Sequence, residues 1–205
     1  IGFTGEQQEQ AKNQRFLGQV FVVALLLISL ILVAQFDSLK YVLIIMLTVP
    51  LSLLGVFLGL LTTNTTFIVI MTGIGVISLA GVVVNNAIVL LDIVRSARAG
   101  GMPVREALIA SGKVRLRPVF LTAVTTILGL VPMATGFDFD FRSLSFITNS
   151  ESSQWWKSMS IAVIFGLTVA TVLTLVMVPT FYRAFFGIGN NEKPLPQAAE
   201  GVERA

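Results

Sequence analysis

Two adjacent amides, Asn85 and Asn86, sit inside a run of 25 residues, Phe67 to Leu91, that carries no charge. As a helix that run is about 37 Å long, enough to cross a hydrocarbon core with some tilt. An amide left without a partner in an apolar medium costs roughly 2–7 kcal/mol, so each must find one in protein or in a wet cavity. At about 100° per residue, Ile74, Ser78, Gly81, Asn85 and Asp92 share one stripe, and Asn86 lies beside it. The remaining surface is mostly Val, Ile and Leu, so the helix belongs in the middle of a bundle with the stripe turned away from lipid. Amides can orient an ion, a protonated acid or a water, but they do not titrate. Two readings of the pair stay open: a tie between helices, worth roughly 0.6–2 kcal/mol per hydrogen bond, or a direct part in a transport path.

The rest of the inventory narrows the chemistry. The chain has no Cys and no His, which removes disulfides, thiol nucleophiles, most zinc sites and imidazole acid–base steps. No Asp or Glu lies deep in an apolar run, since Asp37 and Asp92 fall at the ends of theirs. Neither a phosphate-binding loop nor a metal-ligand spacing is present. The expectation is a protein that is not an enzyme and needs no cofactor.

Composition says where these residues must be held. Of 205 residues, 55% are hydrophobic and 12% charged, half the charged share of an ordinary soluble domain, roughly 25%. The fold class expected is an all-α, polytopic membrane helix bundle with spans at about 16–34, 39–61, 67–91, 118–135 and 158–181. Residues 1–15 read as a polar lead-in, with Thr4 and Gln7 resembling a capping box. The first span is nearly featureless Leu, Val and Ile, which marks a peripheral, lipid-facing helix. Pro50 should kink the second. Small residues mark close helix contacts: Gly55 and Gly59 on the second span, Gly81 on the third, and Gly166 and Ala170 in the series Ala162, Gly166, Ala170, Thr174 on the fifth. The fourth span carries Thr122, Thr125, Thr126 and Gly129 on one face, suited to approach the asparagine stripe. Threonines can also satisfy themselves on their own helix carbonyls. Pro132 ends or bends that span.

Between the third and fourth spans lies the strongly basic segment 92–117, with Arg95, Arg98, Arg105, Lys113, Arg115 and Arg117. Pro103 and Gly112 bracket a short helix within it. A basic cluster can meet nucleic acid or anionic lipid; between spans it reads as a cytoplasmic loop, with membrane lipid and no nucleic acid as partner. The loop 137–157 contains FDFDF, either a short extended segment or an interfacial loop, and closes on Trp155 and Trp156 as interfacial anchors. From residue 183 the tail is polar and expected to be disordered. With the basic loop inside, ten of the fourteen Lys and Arg residues fall on the cytoplasmic side. That places residue 1 outside and residue 205 inside. The opening at Ile1 reads as the interior of a longer protein.

GVVVNNAIVLLD, then RLRPVFLTAVTTILGLVPMA and WKSMSIAVIFGLTVATVLTLVMVPTFY, resemble the RND (resistance–nodulation–division) efflux pumps, nearest to the acriflavine-resistance, hydrophobe/amphiphile branch. VPLSLLG at residues 49–55 fits the same pattern. The likeness covers roughly residues 1–186 and implies the last five spans of a twelve-span permease in a bacterial inner membrane. It implies proton-motive-force-driven export of drugs or other amphiphiles, with this part forming one wall of the proton pathway. Asn85 stands where the family often has a lysine, while Arg115 and Thr122 match positions linked to that pathway. Asn86 joins them as a candidate transport residue. The implied partners are the N-terminal half of the same polypeptide with its aspartate pair, two further copies in a homotrimer, a periplasmic adaptor and an outer-membrane channel. The alternatives are a metal, lipid or protein exporter of the same superfamily, or a membrane scaffold that transports nothing.

Overall fold

An apolar run surrounded by hydrocarbon satisfies its backbone polar groups most simply by bonding along its own helix. The computed structural model describes residues 3–140, 145–148 and 151–186, and each of the five apolar runs is helical over most of its length, the second being broken at Leu47. In chain order the elements are α1 (Phe3–Phe36), α2 (Leu39–Met46), α3 (Thr48–Thr62), α4 (Val69–Ala99), α5 (Val104–Thr135), the strands β1 (Phe137–Asp140) and β2 (Ser145–Thr148), and α6 (Glu151–Phe186). With α2 and α3 taken together, five segments are long and apolar enough to cross a membrane. The class is the membrane helix bundle expected from the sequence.

The break between α2 and α3 lies one turn before Pro50. A proline nitrogen cannot donate to the carbonyl four residues back, here Met46, and its ring crowds that group. The helix opens at Leu47 accordingly. Hydroxyls then bond nearby carbonyls: Thr48 donates to Ile45 and Ser52 to Val49, both at 2.6 Å.

α6 is the axle of the bundle, running against α2, α3, α4 and α5. Its line of small residues Ala162, Gly166, Ala170 and Thr174 is buried along its whole length. A Cβ on Gly55 of α3 would lie 2.7 Å from Val169 Cβ and 2.8 Å from the Phe165 carbonyl oxygen. One on Gly59 would collide with the Phe165 side chain, and one on Gly166 with Leu79 and Val56. The three glycines therefore let α3, α4 and α6 approach to a separation no larger residue permits. By contrast α1 buries only Leu32 and Phe36 fully, and its exposed Leu26, Leu30 and Ile31 make it the peripheral helix.

Two expectations change, and one open alternative is decided. The basic segment 92–117 is not a loop, because α4 runs on to Ala99 and α5 begins at Val104. Only residues 100–103 turn, where Gly101 takes φ +85° and Pro103 is extended. The short helix bracketed by Pro103 and Gly112 and the span after it are one helix, which carries Gly112 and Pro118 in its interior. The helix runs through both positions, although Pro118 removes one backbone hydrogen bond, to the Val114 carbonyl, and Gly112 costs about 1 kcal/mol relative to Ala. The FDFDF stretch resolves to its extended alternative: β1 pairs antiparallel with β2, from Phe137↔Thr148 to Asp140↔Ser145. Arg142 and the tail from Gly187 onward lie outside the described residues.

Gly166→Leu should lower the stability of the full-length protein by about 1–3 kcal/mol or more, through overpacking against Leu79 and Val56. Gly18→Leu, where nothing lies within 4 Å of the new Cβ, should not. Thermal unfolding of both variants in detergent checks the contrast.

Candidate functional site

The rotation of α4 about its axis sorts its residues by chemistry. Ala80, Val83, Val84, Ala87, Leu90, Leu91 and Val94 are each at most 3% exposed, packed against the other helices. The side away from them carries Ile70, Ile74, Ser78, Gly81, Asn85 and Asp92, all exposed. The polar stripe is thus the face that this chain leaves open, and Asn86, next to it, is half-buried. Among the described residues neither amide side chain takes part in a hydrogen bond. Beside the N-terminal half of the stripe, α1 and α4 enclose a groove of about 450 Å³, lined in part by Leu17, Val20, Ile74 and Ser78.

Both ends of α4 are fixed by buried polar contacts. Near its start, the Ser158 hydroxyl donates to the Thr66 carbonyl at 3.2 Å, which leaves Thr72 to donate to Ser158 over 2.6 Å. Near its end, Arg98 is buried and its Nη1 donates to the Met102 carbonyl at 3.1 Å, bracing the turn into α5. Close by, the Tyr41 and Tyr182 hydroxyls lie 3.4 Å apart within a cluster of stacked and tilted rings that includes Phe36 and Phe186. Neither contact was legible in the sequence: 86 residues separate Thr72 from Ser158 and 141 separate Tyr41 from Tyr182, and no short-range pattern joins such pairs.

On α5, Thr122, Thr125 and Thr126 are exposed, and each hydroxyl bonds a carbonyl of its own helix, on Val119, Leu121 and Thr122, at 3.0, 2.8 and 2.9 Å. Gly129, the fourth member of that face, is exposed with nothing near its absent side chain. The threonine face is therefore open and self-satisfied. Arg115 is half-buried, and its Nε is enclosed without a hydrogen-bond partner among the described residues. α4 and α5 pack side by side, yet no hydrogen bond joins any two of Asn85, Asn86, Arg115 and Thr122 among the described residues.

The glycine expectations divide. Gly55, Gly59, Gly166 and Ala170 lie buried at crossings between helices. Gly81 does not: nothing lies within 4 Å of a Cβ built on it, because it shares the open stripe with Asn85. Within this chain Gly81 widens the open face instead of closing a contact. Together the open faces offer amide and hydroxyl groups, with no titrating group between Ser78 and Asn86. Such groups can hold a partner by hydrogen bond but do not themselves exchange protons.

Comparison with known proteins gives five findings. A sequence model described as the AcrB/AcrD/AcrF family matches residues 1–186. The swarming motility protein SwrC of Bacillus subtilis is 36% identical over 167 residues, which is 82% of this chain and 15% of that protein. The cobalt-zinc-cadmium resistance protein CzcA of Cupriavidus metallidurans is 34% identical over 182 residues, 89% of this chain and 16% of that protein. The multidrug resistance protein MdtC of Erwinia amylovora is 29% identical over 164 residues, 80% of this chain and 15% of that protein. A crystal structure of a heavy metal efflux pump superposes with a TM-score of 0.67 at 28% identity, covering 89% of this chain and 17% of that one. The chain thus spans about one-sixth of the length of the relatives it matches.

Proposed function

The chain belongs to the AcrB/AcrD/AcrF family of RND efflux transporters, and from that premise we propose that it forms one wall of the proton pathway in a proton-motive-force-driven efflux permease. The observation that carries this reading is the orientation of α4, which leaves Ser78, Gly81, Asn85 and Asp92 open while the opposite side, from Ala80 to Val94, is buried. A face of amides and hydroxyls turned outward in a membrane calls for a protein partner, and the partner proposed is the N-terminal half of the same polypeptide. Asn85 would hold an acid of that half by hydrogen bond, with Asn86, Thr122 and Arg115 around it. A hydrogen bond to a charged group is worth roughly 1.5–3 kcal/mol, so Asn85 acts on the acid's protonation equilibrium.

The cargo is chosen outside these spans. Export of drugs or other amphiphiles is the first reading, in line with the relatedness to a multidrug resistance protein. Export of a metal cation is the second, favoured by the relatedness to a cobalt-zinc-cadmium resistance protein and to a crystallised heavy metal pump. The assembly proposed is a homotrimer in a bacterial inner membrane, served by a periplasmic adaptor and an outer-membrane channel. Residue 1 lies on the periplasmic side and residue 205 on the cytoplasmic side.

Full-length Asn85→Leu should assemble normally and lose efflux by about ten-fold or more, the rate equivalent of losing such a hydrogen bond. Asn85→Lys should keep part of it. Efflux in membrane vesicles under an imposed pH gradient, normalised to assembled protein, is the measurement. Wild-type efflux by Asn85→Leu would make the residue purely structural. For orientation, single cysteines at the exposed Ser96 and Thr66 positions report opposite sides. A membrane-impermeant reagent applied to spheroplasts should label the Thr66 position and spare the Ser96 position, and the reverse pattern would invert the topology.

A further inference from the structure

The six basic residues between Arg95 and Arg117 are sorted by the structure into different environments. Arg95 donates to the Phe36 carbonyl at 3.4 Å, and the buried Arg98 to that of Met102. Arg115 is half-buried with its Nε enclosed. The other three, Arg105, Lys113 and Arg117, are exposed, and none is held by a carboxylate among the described residues. Glu106, the one acidic residue of α5, is exposed about 20° round the helix from Lys113 and about 10 Å from it along the axis, too far to pair with it.

These three cations share a face. At about 100° per residue, Arg105, Ile109, Lys113, Leu116, Arg117 and Phe120 fall within roughly a third of the helix circumference. Arg115 lies about 200° from Lys113, on the far side. The apolar members of the stripe are also open, Ile109 at 49%, Leu116 at 57% and Phe120 at 63%. Directly behind them Ala107 and Ser111 are fully buried, and the Ser111 hydroxyl donates to the Ala107 carbonyl at 2.6 Å. The stripe is therefore a fixed outward face of a packed helix.

Its position along α5 selects the ligand. The helix has 32 residues, about 48 Å against a hydrocarbon core of roughly 30 Å, so its first turns stand at the headgroups and beyond. Lys113 and Arg117 are one turn apart, about 6 Å along the axis, with Leu116 between them and Phe120 one turn further towards the hydrocarbon. Cations above and large apolar side chains below match a molecule that is anionic at one end and apolar at the other. We infer that this stripe binds an anionic phospholipid, its phosphate between Lys113 and Arg117 and its acyl chain along Leu116 and Phe120, with Arg105 adding long-range attraction. A soluble phosphate would use only half of the stripe. The inference rests on the membrane placement of α5 and not on the proton-pathway reading.

The test uses the full-length transporter in phosphatidylcholine nanodiscs with graded phosphatidylglycerol, and native mass spectrometry to count retained lipid. At roughly five-fold per surface cation, Lys113→Gln with Arg117→Gln should weaken phosphatidylglycerol binding about 25-fold, and Lys113→Gln alone about five-fold. Phosphatidylcholine retention and melting temperature in pure phosphatidylcholine should match wild type. Exchange of the cations, Lys113→Arg with Arg117→Lys, should keep the binding. Undiminished phosphatidylglycerol retention by the double Gln variant would overturn the inference. So would displacement of the lipid by inorganic phosphate, or protection of cysteines at Ile109 and Leu116 from a lipid-soluble maleimide, which would assign the stripe to a protein partner.

Discussion

Hydrocarbon offers a polar side chain no hydrogen bond, and the bundle is arranged around that fact. Hydroxyl side chains meet it locally. Thr125, Thr126, Thr168, Thr171 and Thr180 each donate to the carbonyl four residues back, so they can stand on any face of a helix at little cost. Among the described residues the two asparagines of α4 make no such bond. Asn85 stands on the side of α4 that this chain leaves uncovered, with Asn86 half-buried beside it.

What keeps the stripe aimed outward is the tight core behind it. Gly55, Gly59 and Gly166 bring three helix backbones to a distance at which a single methyl group would collide. Thr72 with Ser158 at one end of α4, and the Arg98, Tyr41 and Tyr182 region at the other, resist sliding and rotation of the helix. The orientation of Asn85 is thus a property of residues that never touch it. A change at the crossing should reach the open face through rotation of α4, which carries both Leu79 of the crossing and Asn85 of the stripe.

Legibility in the sequence followed the range of the interaction. The five spans, the break near Pro50, the close-packing line on α6 and the peripheral character of α1 all follow from periodicity or from single-residue chemistry, and all are present. The joining of α4 to α5 by a four-residue turn was hidden, because basic residues and a Pro–Gly bracket look alike in a loop and on a helix that outruns the membrane. Gly81 faces open space within this chain for a related reason: a small residue marks a close approach without saying whether the neighbour belongs to this chain. The contacts of Thr72 and of Tyr41 join residues too far apart in sequence for any local pattern to announce them.

If α4 lies in the interior of the whole transporter, its open face is covered there by protein. Spin labels at Ser78, on the stripe, and at Leu54 and Phe57, exposed on α3, allow a direct comparison of oxygen accessibility in a bilayer. In the full-length protein the label at Ser78 should be several-fold less accessible to oxygen than those at Leu54 and Phe57. Equal accessibility at all three would show the stripe facing lipid, and would contradict the account.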